Sequence, residues 1–196
     1  MMTTLICARQ VYSFQSTFVP LNESRLWLEG SSNVNEFECH AEDYAGEATV
    51  PETEEAPSLK TFSSKLLLLK IDIQVDSFEC GKQRMNEDLR EALKSDQFPE
   101  ITFLYEDSIL LSTPTDMNDG FQLRVRGLLT VAGTTKEIQF NTEAYYINQR
   151  RVRATGQTTI NMTDYEVKPP TAFMGLIKAN EELTVNFDLI AEPKND

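Results

Sequence analysis

The chain is poor in the residues that most often do chemistry. It carries one histidine, one tryptophan and three cysteines in 196 residues, and its 18 basic side chains face 31 acidic ones. Any Ser-His-Asp or Cys-His arrangement would depend on His40 alone. His40 directly follows Cys39, and neighbours along a strand point to opposite faces, so the two do not readily meet. His40 therefore reads as a strand-end or surface residue. No CxxC pair occurs, and one histidine leaves a zinc site short of ligands. Cys7, Cys39 and Cys80 are too few for a disulfide framework and read as small buried thiols. Cys39 and Cys80 share the context Phe-Glu-Cys, and one pair could bridge, but sequence does not set their distance.

Other absences narrow the function further. Neither GxGxxG nor GxxxxGK[ST] is present, so no phosphate-cradling loop is expected. The stretch Asp116-Met117-Asn118-Asp119-Gly120 begins like a calcium loop, but Val125 stands near the place of its closing acid. It reads as a hairpin turn. With so many acids, the adjacent pairs Glu54-Glu55 and Glu181-Glu182 read as solvated faces. We therefore expect no catalytic residues, no metal and no cofactor. The net charge of −13 repels nucleic-acid phosphates and anionic headgroups. No apolar run approaches the roughly 20 residues of a membrane-spanning helix; the longest, Leu66–Leu69, is strand-sized. Leu5 to Ala8 is too short for a signal-peptide core, and Arg9 lies on its wrong side.

What is present is a period of two. Leu67, Leu69, Ile71, Ile73 and Val75 alternate with mostly polar partners, as do Phe121, Leu123, Val125, Gly127, Leu129 and Val131. Leu183, Val185, Phe187 and Leu189 form a third set. Such alternation marks strands with one dry and one wet face. The same rule predicts strands near 12–18, 25–29, 34–41, 100–105, 108–112, 137–147 and 151–160. Asn118-Asp119-Gly120 and Ala132-Gly133-Thr134-Thr135 read as hairpin turns. Residues 42–59, acidic and broken by Pro51 and Pro57, read as a surface loop around a short edge strand near Glu47–Val50. Asn86–Lys94 breaks the period: Leu89 and Leu93 lie four apart among charges, predicting a short amphipathic helix closed off by Asp96 and Pro99. Lys168-Pro169-Pro170-Thr171 cannot pair as a central strand. Residues 12–191 read as one domain, preceded by a flexible start or signal remnant (1–11) and followed by a short tail (192–196).

Four blocks resemble the YceI-like family. They are Ser24-Arg25-Leu26-Trp27-Leu28-Glu29-Gly30-Ser31-Ser32-Asn33-Val34 with Phe37 and Cys39; Met85-Asn86 through Pro99-Glu100-Ile101-Thr102-Phe103; Gly127-Leu128-Leu129-Thr130-Val131-Ala132-Gly133-Thr134-Thr135-Lys136; and Met162-Thr163-Asp164-Tyr165, Pro169-Pro170 and Gly175-Leu176-Ile177-Lys178. The resemblance implies an all-β fold: an antiparallel, lipocalin-like barrel of eight strands with one short helix at its mouth. It implies a periplasmic or secreted protein, since many members are exported, and a non-enzymatic role. Some members hold a polyisoprenoid in the barrel. The histidine those members carry in the helix region is absent here, where Asn86 stands nearby.

The expected function is carriage or storage of an apolar small molecule, isoprenoid or fatty-acyl-like. The expected interior is Leu26, Leu28, Phe37, Leu69, Ile71, Ile73, Phe103, Leu123, Val125, Leu129, Ile138, Phe140, Val185 and Phe187, with Arg84, Asn86 and Lys178 as headgroup contacts. About ten buried carbons offer roughly 8 kcal/mol gross, against an association cost of about 4–15 kcal/mol. A useful ligand would therefore be long, roughly four or more isoprene units. The competing expectations are a barrel filled by its own side chains and an interaction module, a homodimer included.

Overall fold

The computed structural model describes residues 15–51, 67–112, 120–148, 150–172 and 176–194. The N-terminal segment with Cys7, the acidic stretch 52–59, Leu66, the Asn118-Asp119 turn and Gly175 lie outside the described residues. The strands are β1 (Gln15–Pro20), β2 (Arg25–Ser32), β3 (Glu36–Ala41), β4 (Tyr44–Pro51), β5 (Leu68–Gln74), β6 (Phe78–Glu79), β7 (Glu100–Leu110), β8 (Phe121–Val131), β9 (Thr134–Tyr146), β10 (Val152–Asn161), β11 (Thr171–Ala172) and β12 (Ile177–Pro193). One α-helix, α1 (Gln83–Leu93), precedes β7.

Three pairs of short strands each run on as one broken stave: β1 into β2, β3 into β4, and β5 into β6. β2 pairs with β3 while β1 pairs with β4, and β4 pairs with β5 while β3 pairs with β6. The chain then runs β5–β7–β8–β9–β10–β12 antiparallel, and β12 closes the circle on both β2 and β1. The result is a closed antiparallel barrel of eight staves, as the family resemblance implied. Closure pairs the strand edges that an open sheet would leave to solvent.

The alternating pattern holds in register. Phe103 faces Leu129 across β7 and β8, Val125 faces Phe140 across β8 and β9, and Phe187 faces Leu26 across β12 and β2. Two strands expected at 100–105 and 108–112 are one strand, β7, whose register shifts between Tyr105 and Asp107. The extra residue Glu106 broke the period and mimicked a strand boundary. On the outer wall there, Arg126 binds Asp107 and reaches Glu137 at 3.2 Å.

The segment read as an acidic loop is different. Tyr44–Pro51 is a stave of the wall, paired with β1 on one side and β5 on the other. Its inward positions, Tyr44, Gly46, Ala48 and Val50, include two small residues, so the apolar signal was weak. The hairpin between β8 and β9 is as expected: Ala132 and Gly133 both have positive φ, 48° and 82°, the conformation of a two-residue turn that matches strand twist.

Helix α1 starts three residues earlier than expected and ends at Lys94, whose left-handed backbone returns its N–H to Arg90 and Glu91. Leu89, Ala92 and Leu93, spaced i, i+3, i+4, turn toward the barrel. A salt bridge from Arg84 to Asp88 at 2.8 Å runs along the wet face. The cysteines correct the thiol reading: Cys39 is buried as expected, but it forms a disulfide with Cys80. The bond ties β3 to the turn that leads into α1. The pairing of β3 with β6 brings the two cysteines together, since Ala41 sits opposite Phe78 and His40 opposite Glu79.

Candidate ligand-binding cavity

The inward faces of the staves do not meet at the centre. They enclose a cavity of about 280 Å³, lined almost wholly by carbon. Eight strands give an interior just wide enough to fill with side chains or to hold one small ligand. Ligand cavities commonly run from about 300 to 1,000 Å³. This space lies just below that range and suits a slender chain better than a bulky ring system.

The structure places all but one of the expected interior residues on this lining. Leu26 and Leu28 come from β2, and Leu69, Ile71 and Ile73 from β5. Phe103 comes from β7, and Leu123, Val125 and Leu129 from β8. Ile138 and Phe140 come from β9, Val185 and Phe187 from β12. Phe103, Phe140 and Phe187 form a row of tilted and edge-on rings, each 5.6 Å from the next, that links β7, β9 and β12. Such contacts add about 0.5–1.5 kcal/mol each beyond area burial. Phe37 is the exception. It lies opposite Gly30, and its ring packs over that glycine and Leu183 at the rim, outside the cavity.

The three expected headgroup residues do not reach the cavity either. Arg84 lies on the exposed side of α1. Asn86 is buried and committed: its Oδ1 accepts the Cys80 N–H at 2.8 Å, and its Nδ2 donates to Glu79 at 2.8 Å. Lys178 is exposed at the start of β12, its N–H held by Asn33.

Sequence reasoning missed much of the lining. Val152, Ala154, Thr158 and Ile160 face inward from β10, and Ala48 and Val50 from β4. Their alternation was legible, but alanine, threonine and glycine dilute the apolar signal. Leu89, Ala92, Leu93, Phe78, Met162 and Val167 close one end, where Phe78 and Tyr165 are each 2% exposed. Burial pushes the Tyr165 hydroxyl up to about 12, with nearby Asp164 adding to it. The few polar groups on the lining include Tyr105 and Ser108, which bond each other at 2.8 Å, and Thr142, whose hydroxyl is buried with no partner.

The outer wall carries ion pairs and stacked rings, with Leu68, Leu104 and Ile109 also exposed on it. His40 stacks on Trp27, with ring centroids 6.4 Å apart, and its Nε2 lies 2.5 Å from Glu38. Arg153 grips Asp188 through two contacts of 2.6 and 2.5 Å, and Arg25 adds a third. Arg153 and Arg25 together hold the Asp188 carboxyl below the usual carboxylate range. Among the described residues no group of His, Cys, Asp and Glu could hold a metal ion, and no helix is long and apolar enough to cross a membrane.

A closed antiparallel barrel around an apolar cavity defines the lipocalin-like class of architecture. Within it, the chain belongs to the YceI-like domain family, whose sequence model matches residues 22–191. No curated protein matches the chain. Solved structures do. A polyisoprenoid-binding domain from Saccharophagus degradans, implicated in plant cell wall breakdown, is 12% identical, with a TM-score of 0.66 over 91% of this chain and 98% of its own. Burkholderia cenocepacia BcnA is 16% identical, with a TM-score of 0.62 over 86% of this chain and 96% of its own. A Campylobacter jejuni YceI protein is 16% identical, with a TM-score of 0.58 over 81% and 85%. At these identities the likeness is one of fold.

Proposed function

We propose that this protein binds and carries a slender, apolar, chain-like molecule, isoprenoid or fatty-acyl in character, inside the barrel. One observation carries the reading: a closed wall turns its apolar side chains inward and leaves a dry cavity rather than a packed centre. An apolar void stays unfilled by water, because water there would find too few hydrogen-bond partners. A hydrocarbon chain gains about 0.8 kcal/mol per CH₂ it buries and needs no such partners. The fold shared with the polyisoprenoid-binding domain from Saccharophagus degradans supports the choice of a prenyl-type chain.

Membership of the YceI-like family and the fold shared with a polyisoprenoid-binding domain support a binding role rather than catalysis. The Cys39–Cys80 disulfide supports work in an oxidising compartment, periplasmic or extracellular, because such bonds rarely persist in a reducing cytosol.

Native mass spectrometry of protein gently purified from a lipid-containing host tests the reading. A population carrying an added lipid mass, released by organic solvent, is expected. An unliganded spectrum, together with no response to a long-chain fluorescent probe, would leave only a filled or purely structural barrel.

A further inference from the structure

The barrel wall has a split. β9 and β10 pair only from Tyr146–Val152 to Thr142–Gly156. Beyond that point Gln157–Asn161 pair with β12 alone, and Thr134–Asn141 pair with β8 alone. Two long strands thus part at mid-height.

An outer groove lies at this fork. Its lining runs from Trp27 across Asp188 and Gln157 to Asn141 and Gln122. Thr142 and Phe187 line both this groove and the inner cavity. Between them stands Gly156, where the Phe187 ring takes the place a side chain would have. A Cβ there would come within 2.5 Å of the Phe187 ring and 2.8 Å of the Asn141 carbonyl.

Thr142 makes this neck chemically distinct. It is 6% exposed, and its Oγ1 has no hydrogen-bond partner. A buried hydroxyl without a partner is a standing cost that a ligand's polar atom can relieve.

We propose that the neck between β9 and β10 is the head site of an amphiphilic ligand: the chain lies in the cavity, and an uncharged polar head (hydroxyl, carbonyl or amide) meets Thr142 and extends into the groove. This rests on the carrier reading above. The head is uncharged for a physical reason. A carboxylate or phosphate beside Thr142 would surrender its water for one hydroxyl, and burying a charge so poorly compensated is costly. Among the described residues no lysine or arginine lines the groove, which instead includes Glu143 and Asp188, and Arg124 beside it is engaged with Asn141 at 3.3 Å. The arginines beside Asp188, Arg153 and Arg25, are already paired with it.

Hexadecane, hexadecan-1-ol and hexadecanoic acid, matched in chain length, test the site by displacement of a fluorescent chain probe. Wild type should bind the alcohol more tightly than the acid. Thr142→Val should weaken the alcohol about fivefold relative to hexadecane, the equivalent of roughly 1 kcal/mol. Thr142→Ser, which keeps the hydroxyl, should restore the alcohol. Trp27 is the sole tryptophan and lines the groove, so its emission should respond to the alcohol and not to hexadecane. Equal loss of hexadecane and alcohol in Thr142→Val, tighter binding of the acid, or a silent Trp27 at alcohol saturation each overturns the head site while leaving the carrier reading intact. Failure of wild type to bind any of the three overturns both.

Discussion

Val125→Trp puts the carrier reading under the most direct strain. Val125 lies near the middle of β8, 7% exposed, on the cavity lining, with Ser108 and Phe140 as its cross-strand neighbours. Tryptophan adds about seven heavy atoms, which in a void of about 280 Å³ take space that chain carbons would use. Each displaced CH₂ forfeits about 0.8 kcal/mol, so the loss approaches roughly 5 kcal/mol, several thousandfold in affinity. In a packed core the same change would cost about 1–3 kcal/mol in stability through overpacking. Here the void absorbs most of it, and the thermal midpoint should move by no more than about 2–4 °C, the response of a domain this size to roughly 1 kcal/mol. Titration with a long-chain fluorescent probe and a parallel melting curve measure both quantities. Val125→Phe, smaller in size, should give an intermediate loss and guards against a tryptophan variant that misfolds. A well-folded Val125→Trp protein that binds the probe as wild type does would refute the argument, because the ligand would then not occupy this space. A large drop in stability for both variants would show a core already full.

The remaining predictions concern what holds the barrel. Replacing Cys39 and Cys80 by alanine frees a loop with a sequence separation of 41, worth about 4 kcal/mol in the chain-entropy account; denaturant midpoints with and without reductant should separate, and coincident curves would show the bond to be energetically idle. Asn86→Leu removes the acceptor for Cys80 N–H and the donor to Glu79; Glu79 is exposed and turns to water, so the cost falls on the Cys80 N–H, about 1–3 kcal/mol; a urea-midpoint shift equivalent to less than about 0.5 kcal/mol would contradict that role. Asp188 has a folded-state pKa below its unfolded value, so its pairing with Arg153 stabilises above the ordinary carboxylate range near 4 and is lost as pH falls through the depressed value. Stability of wild type should fall more steeply below about pH 4 than that of Asp188→Asn, and parallel pH profiles would remove the pair from the acid response.

The alternating apolar positions of β5, β8 and β12 were legible because a strand's period of two depends on the chain alone. Those residues on the lining are largely the ones expected. Short-range chemistry was equally legible: Ala132-Gly133 turns, and Leu89 and Leu93 mark a helical face. Elements lacking a strong apolar signal were misread. Tyr44–Pro51 carries Gly46 and Ala48 inward and glutamate outward, so it resembled a loop, and only its two neighbouring strands show it to be wall. The bulge at Glu106 looked like a strand end until β8 supplied the register.

By itself, then, the amino-acid order determined strands with one oily and one wet face, an acidic composition and one amphipathic helix, since these depend on local periodicity and composition, while the eight-stranded barrel was what the family resemblance implied. Tertiary structure alone decided the rest. Pairing between β3 and β6 joined Cys39 to Cys80, curvature left the centre open instead of packed, and the divergence of β9 from β10 set Thr142 at a fork in the wall. Each depends on distances between residues far apart in the chain, which are settled only when the staves close and every side chain meets its neighbours across the barrel.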